Sequence, residues 1–344
     1  MLETTRTAEP DTDGATRLTS LGRLRALAPR ASILYATVAL FIISAFLAPG
    51  SVGTVSLQAT LPFFGILAIV AIGQTVVVAG RGIDLSVPGM MSLAAMAASR
   101  FATDSGSELL GVGLAATLAV IVGLLNGFLV SVLRITPLVA TLAMSSLLAG
   151  ASFAYSKGSP ARAPASIIDF ASGTTLGISN ACWLGLTVAV IFAVLMSRTR
   201  WGRELSAVGA NESAAYISGI PIRGRRLGSY IISALCASAA GVVLAGYVQT
   251  PNSYLGADYL LPSIAAVVIG GTSLAGGRGS VVGTLVAALF LTQLDALVFA
   301  LGAPDATRFL VQAVILAAAV SVPAISRIVR RRARRRRPRP HSHR

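Results

Sequence analysis

The sequence predicts an all-α integral membrane protein of about ten transmembrane helices, arranged as two pseudo-inverted halves with broken third and eighth spans. Three observations predict it. The 344 residues are 54% hydrophobic and only 12% charged, about half the charge of a soluble chain, and the mean hydropathy is +0.77. Apolar stretches long enough to cross a bilayer recur along the chain, separated by shorter polar intervals. Lys and Arg are distributed with a strong bias. With ten spans and both ends on one side, all but Arg100, Lys157, Arg162 and Arg308 of the 28 basic residues fall on that side, the cytoplasmic one by the positive-inside rule. One span more or fewer inverts half the loops and destroys the bias. The net charge of +15 therefore reads as a topology signal, with no nucleic-acid partner expected.

Taken in order, residues 1–30 mix acidic residues with arginine and predict a disordered cytoplasmic tail. The transmembrane domain follows over 31–326. Its first two spans are 31–49 and 57–79. The third, 90–101, lies behind the polar knot GRGIDLSVPG (80–89), where Pro88 and Gly89 interrupt it near its start. Such a break needs protein or a water-lined cavity to satisfy the freed backbone. The fourth span, 109–133, carries Asn126, and the fifth, 137–155, is rich in the small residues that let membrane helices approach closely. A polar loop over 156–173 precedes the sixth span, 176–196. Spans at 227–247, 259–273, 281–301 and 309–325 complete ten, and 327–344 is a basic cytoplasmic tail that anchors topology or binds anionic lipid.

Two halves of five spans must insert in opposite orientations, the arrangement of an inverted repeat. The break at Pro88-Gly89 is matched in the second half by Gly270-Gly271. Interrupted segments in matching positions point to a translocation path, with close helix packing as the alternative use of glycine.

The longest polar interval inside the domain is 198–226, WGRELSAVGANESAAYISGIPIRGRRL at its centre. Asn211 is a good N-cap, Glu212 puts negative charge in the first turn, and Gly219 followed by Pro221 ends the run, which predicts a very short helix. A helix of this length is marginal alone and gains its stability by lying against something. That is either another protein or the chain's own membrane domain.

Chemistry on a substrate is not expected. A phosphate-binding loop needs a lysine after its glycines, and the only lysine, Lys157, follows Ser156, so the chain has no ATPase site of its own. No Ser-His-Asp, His-Glu-x-x-His or paired-carboxylate constellation falls on the spans, and no metal site or disulfide is indicated by Cys182 and Cys236. Polar residues within spans are costly enough to be functional by default. Gln74, Asp84, Asn126 and Asp295, with Gly270 and Gly271, are the residues assigned to a path; for Gln74 and Asn126 the alternative is a hydrogen bond between helices. Asp295 has no basic residue within a turn or two, so it is neutral, cavity-facing or near a dimer contact.

Four stretches carry a resemblance: GQTVVVAGRGIDLSV (73–87), GLLNGFLVSVLRITPLVATLAMSSLLAG (123–150), RTRWGRELSAVGANESAAYISGI (198–220) and SIAAVVIGGTSLAGGRGSVVGTL (263–285). In order and spacing they resemble the permease subunits of bacterial ABC sugar importers of the ribose type. The resemblance implies a multi-pass inner-membrane subunit that forms the path for a monosaccharide. It pairs with a second permease copy or a paralogue, receives sugar from a periplasmic binding protein and couples to a cytoplasmic subunit that holds ATP and magnesium. It also makes the helix at 211–219 a coupling helix, with Arg203, Glu204, Asn211, Glu212, Ala214 and Gly219 as the residues facing the ATPase. The sequence departs from many members at 260–263, where LLPS replaces Glu-Leu-Asp-Ala, and in its long basic tail. An ion-coupled secondary transporter using Asp84 or Asp295, and a permease for branched-chain amino acids, are the alternative expectations.

Overall fold

The computed structural model describes residues 32–304, 306, 307, 310–314 and 317. Among them the chain forms α1 (Ser32–Leu47), α2 (Thr54–Ala79), α3 (Val87–Ser105), α4 (Glu108–Ser131), α5 (Pro137–Ser156), α6 (Ala165–Ser172), α7 (Asn180–Arg198), α8 (Arg200–Ala210), α9 (Glu212–Ile217), α10 (Ile222–Val248), α11 (Leu260–Ile269) and α12 (Val281–Ala300). Two short strands, β1 (Thr174–Thr175) and β2 (Ile178–Ser179), pair antiparallel. Six helices, α2, α4, α5, α7, α10 and α12, are long and apolar enough to cross a membrane. α1 and α11 are shorter apolar helices, and α3 is a 19-residue helix buried along most of its length. Of the tenth expected span, 309–325, only the described positions 310–314 and 317 are helical; the rest, like the tails 1–30 and 327–344, lies outside the described residues.

α2 is apolar all round and, from Phe64 to its end, buried all round, which makes it the axis of the bundle. It is shared by two apolar clusters. In the first, Ile66, Ile69 and Val70 meet Met90 and Met91 of α3 and Val243 and Leu244 of α10. In the second, Phe64, Leu67 and Ala68 meet Ala266 of α11 and Ala287 and Leu291 of α12. α4, α5 and α7 instead leave one apolar face open, with Leu124, Leu142, Leu147 and Val190 exposed, as helices bordering lipid do.

Glycine sets the closest crossings. A Cβ on Gly185 of α7 would sit 2.7 Å from the carbonyl oxygen of Gly65 on α2, and one on Gly270, which caps α11, would sit 2.5 Å from the backbone nitrogen of Thr284. Gly283 meets the Gly270 carbonyl from the other side. These pairs bring backbones into direct contact, the means by which helices associate where lipid removes the hydrophobic drive between them.

Three features differ from the sequence expectation. Pro88 and Gly89 do not interrupt a helix: Pro88 occupies the first turn of α3, where a missing N–H is an orphan anyway, and the irregular backbone lies before it, over 80–86. The polar loop 156–173 contains α6, whose Ile167 and Ala171 are buried against α10, and is followed by the β1–β2 hairpin. Leu176 and Gly177 in that hairpin have φ of 55° and 76°, the paired positive values of a tight two-residue turn. Finally, the interval before α9 is itself an amphipathic helix, α8, whose Leu205 and Val208 are fully buried.

Replacing Gly283 by leucine drives a side chain into the α11 backbone, and overpacking of this kind costs about 1–3 kcal/mol or more. The variant is expected to unfold at lower temperature than the parent in the same detergent, whereas Gly113→Ala, on an open face of α4 with nothing within 4 Å, should not.

Candidate functional site: the α8–α9 hairpin and the loop buried beside it

α9 forms as its caps dictate. The Asn211 side chain accepts a hydrogen bond from Ala214 N at 3.1 Å, and the Gly219 N–H, at a φ of 72°, donates to the Tyr216 carbonyl to close the end. Six residues and two caps do not hold a helix in water, and the stabilising contacts come from α10. Arg225 and Arg226 are adjacent on α10, so their side chains leave the helix about 100° apart. Arg225 Nε donates to Glu204 Oε2 on α8 at 2.6 Å, while Arg226 clasps both oxygens of Glu212 on α9 at 3.1 and 2.8 Å. Arg200 adds a second 2.6 Å bond to Glu204 from one turn earlier on α8. Hydrogen bonds from Arg200 and Arg225 hold the Glu204 carboxyl below its ordinary value of 4.5, and those from Arg226, helped by the charges of Arg134 and Arg81, do the same for Glu212.

The other end of α8 rests on the spans through bare backbone. Gly209 stands where a Cβ would overlap the carbonyl of Ala79, the last residue of α2, and would come within 2.7 Å of Gly277 N. That nitrogen donates to the same Ala79 carbonyl at 2.9 Å. Gly276 and Gly277 have φ of 81° and 80° and press on Arg81 and Ala210, so the glycine-rich turn after α11 is a wedge between the end of α2 and the end of α8.

The loop 80–86 runs from this wedge into the bundle, and polar side chains from the surrounding spans bond two of its backbone groups and one of its hydroxyls. Gln74 Nε2 donates to the Asp84 carbonyl at 2.9 Å; Leu85 N donates to Thr141 Oγ1 at 2.9 Å; Asn126 Nδ2 donates to Ser86 Oγ at 2.8 Å. Asp84 Oδ1 accepts from both Ser86 N, at 2.9 Å, and Ser86 Oγ, at 2.5 Å, which fixes the turn immediately before α3. Gln74, Asp84 and Asn126 are all within 1% of complete burial. Interhelical hydrogen bonding thus accounts for one half of each amide. Gln74 Oε1 and Asn126 Oδ1 remain unbonded to protein.

The residues assigned to a path do not converge. Gln74, Asp84 and Asn126 share the buried loop. Gly270 serves the α11–α12 crossing, and Gly271, with a φ of 86°, forms the turn behind it. Asp295 lies about 18 Å further along α12, at 1.5 Å per residue, and accepts a hydrogen bond from Gln312 Nε2 at 2.8 Å. Of the residues assigned to coupling, Asn211, Ala214 and Gly219 build α9, Glu212 holds it to α10, Glu204 holds α8 to α10, and Arg203 is exposed with its guanidinium on the Arg198 carbonyl. Sequence reasoning missed Arg225, Arg226, Gly209 and Thr141. The arginine pair directly after GIPIRG was the one visible signal.

A multi-span helical permease with a capped, charge-latched hairpin on one face is the class that these features define. The chain belongs to the family whose model is described as branched-chain amino acid transport system / permease component, which matches residues 56–319. It is 35% identical over 260 residues to the ribose import permease protein of Escherichia coli strain K12, across 74% of this chain and 81% of that one. It is 31% identical to the ribose import permease protein of Bacillus subtilis strain 168, across 82% and 88%, and 30% identical to the L-arabinose ABC transporter permease protein of Azospirillum brasilense, across 84% of each. No solved structure matches. The chain is a ribose-type ABC import permease, a multi-pass membrane subunit.

One outcome tests the hairpin and another the buried loop. Because the Glu204 and Glu212 carboxyls titrate below 4.5 in the folded protein, the latch is fully present above that pH and is lost as pH falls through the depressed values. Trp201 of α8 lies against Gly228 of α10, so its fluorescence in a Trp183→Phe background should be constant from neutral pH to about 5 and change only below that. Gln74→Leu strands the Asp84 carbonyl in the core and should cost about 1–3 kcal/mol in thermal unfolding.

Proposed function

We propose that this chain is the membrane-spanning subunit of an ATP-driven importer, that two copies of it or it and a paralogue enclose the path, and that the cargo is a monosaccharide. The supporting observation is the hairpin: a two-capped helix latched to α10 and abutting, through α8, the end of α2 and the turn after α11. α9 leaves Tyr216 and Ile217 75% and 85% exposed, an aromatic and an aliphatic anchor of the kind that protein partners bury. A partner ATPase that closes around α9 moves α8 with it, because Arg225 and Arg226 tie both helices to α10. α8 then bears on Ala79 and Gly277. The loop 80–86 carries the displacement to α4 and α5 through Asn126 and Thr141, so that the spans tilt as rigid bodies. ATP and magnesium belong to the partner; this chain supplies the transmission and the path.

The hairpin, the end of α2 and the basic loops then face the cytoplasm, with both termini, in the inner membrane of a bacterium. The named relatives import ribose and arabinose, which favours a simple sugar over an amino acid as the cargo. A binding protein outside the membrane delivers it and sets most of the specificity.

Reconstitution tests the proposal. Liposomes holding the permease, its ATPase and internal ATP should take up ribose or arabinose presented by the binding protein. Accumulation by the permease alone, driven by a proton or sodium gradient, rejects the reading. Glu212→Arg sets a fourth cation beside Arg226, Arg134 and Arg81, and should reduce ATP-driven uptake by roughly tenfold or more while insertion is unchanged.

A further inference from the structure

We propose that the cleft between α9 and the ends of α2, α4, α5 and α10 binds the headgroup of an anionic phospholipid. The cleft encloses about 1430 Å³, and Arg81, Arg134, Arg223 and Arg226 open into it against one carboxylate, Glu212. Glu212 is already held by Arg226 through both oxygens. Among the described residues the exposed guanidinium groups of Arg81 and Arg134 make no hydrogen bond and no ion pair. Their backbones have φ of 67° and 57°, where glycine is the cheaper residue, so the arginine at each place is not explained by the turn it makes. Convergent guanidinium forks that share the charge of one carboxylate already bound by Arg226, and that make no hydrogen bond of their own, match the oxygens of a phosphate.

Depth and surroundings favour lipid as the source of that phosphate. Arg81 lies two residues beyond the end of α2, Arg134 three beyond the end of α4, and Arg226 early in α10, so all three stand at the ends of helices long and apolar enough to cross a membrane. Beside them the corner between α4 and α5 exposes Leu133, Ile135, Leu138 and Val139. An acyl chain can lie on that corner while its headgroup enters the cleft; a soluble anion would use the arginines and gain nothing from the apolar margin. Basic pockets at the ends of membrane helices bind such headgroups. The inference does not rest on ATP coupling.

The test uses the full chain in nanodiscs of phosphatidylcholine alone or with phosphatidylglycerol, read by native mass spectrometry and thermal unfolding, with a further arm of inorganic phosphate in phosphatidylcholine. The wild type should retain phosphatidylglycerol and melt higher with it. The double variant R81Q/R134Q should retain it roughly twenty-five-fold less, at about fivefold per lost basic contact, while R198Q, outside the cleft, behaves as wild type. R81K/R134K keeps both charges but not the forks and should retain the lipid more weakly than wild type yet well above the phosphatidylcholine background, which preserves the reading if the glutamine pair does not fold. Equal retention by R81Q/R134Q and wild type overturns the proposal, as does complete loss of the lipid from R81K/R134K. Equal stabilisation by inorganic phosphate alone overturns the lipid assignment. Loss of a co-purifying ATPase from R81Q/R134Q with lipid retention unchanged assigns the cleft to a protein partner and overturns it too.

Discussion

The fold depends on keeping a stretch of irregular backbone inside an apolar body without leaving its N–H and C=O groups unpaired. Residues 80–86 neither continue α2 nor begin α3, yet Asp84 and Ser86 in that stretch are buried. In lipid each unpaired group costs several kcal/mol, and the structure meets the requirement by sending polar side chains from α2 and α5 to the loop backbone, with a third from α4 to the Ser86 hydroxyl. Gln74, Asn126 and Thr141 are costly where they stand, and the loop is what makes them tolerable. The same bonds bind three spans to one another, so satisfying the backbone also fixes the relative positions of the helices.

Charge does on the surface what those amides do inside. α9 is too short to persist alone, and its attachment is two carboxylates read by two neighbouring arginines. Exposed ion pairs contribute little each, but here Glu204 is largely buried and Glu212 is bound bidentately, so geometry rather than gross attraction is specified. The outcome is a hairpin that can move with α10 and is not free to move against it.

Much of this was legible in the sequence, for identifiable reasons. Apolar length and arginine bias report directly on lipid, which is why most of the spans and the boundaries of α2, α5 and α12 follow from residue type. The caps of α9 are local, and local signals such as Asn211 and Gly219 can be read without knowing what lies nearby. Long-range partners cannot. Nothing near Gly209 announces that it faces Ala79, 130 positions earlier. α6 was hidden because eight residues flanked by proline and glycine read as loop until Ile167 is seen against α10. Asp295 was read for its lack of neighbouring bases on its own helix, whereas its hydrogen bond comes from Gln312 on the next segment. Pro88 was misplaced for a simpler reason: a proline breaks a helix that has already begun and starts one that has not, and only the end of α2 at Ala79 decides between the two.

The contact of Gly209 with Ala79 and Gly277 has a mechanical consequence. Side chains at a joint give compliance, since rotamers can change to absorb a displacement of an ångström. At Gly209 itself no side chain separates the main chain of α8 from Ala79 and Gly277, so this point of the joint has little to yield. It behaves as a strut and not a spring, and a push of an ångström at one side arrives as an ångström at the other.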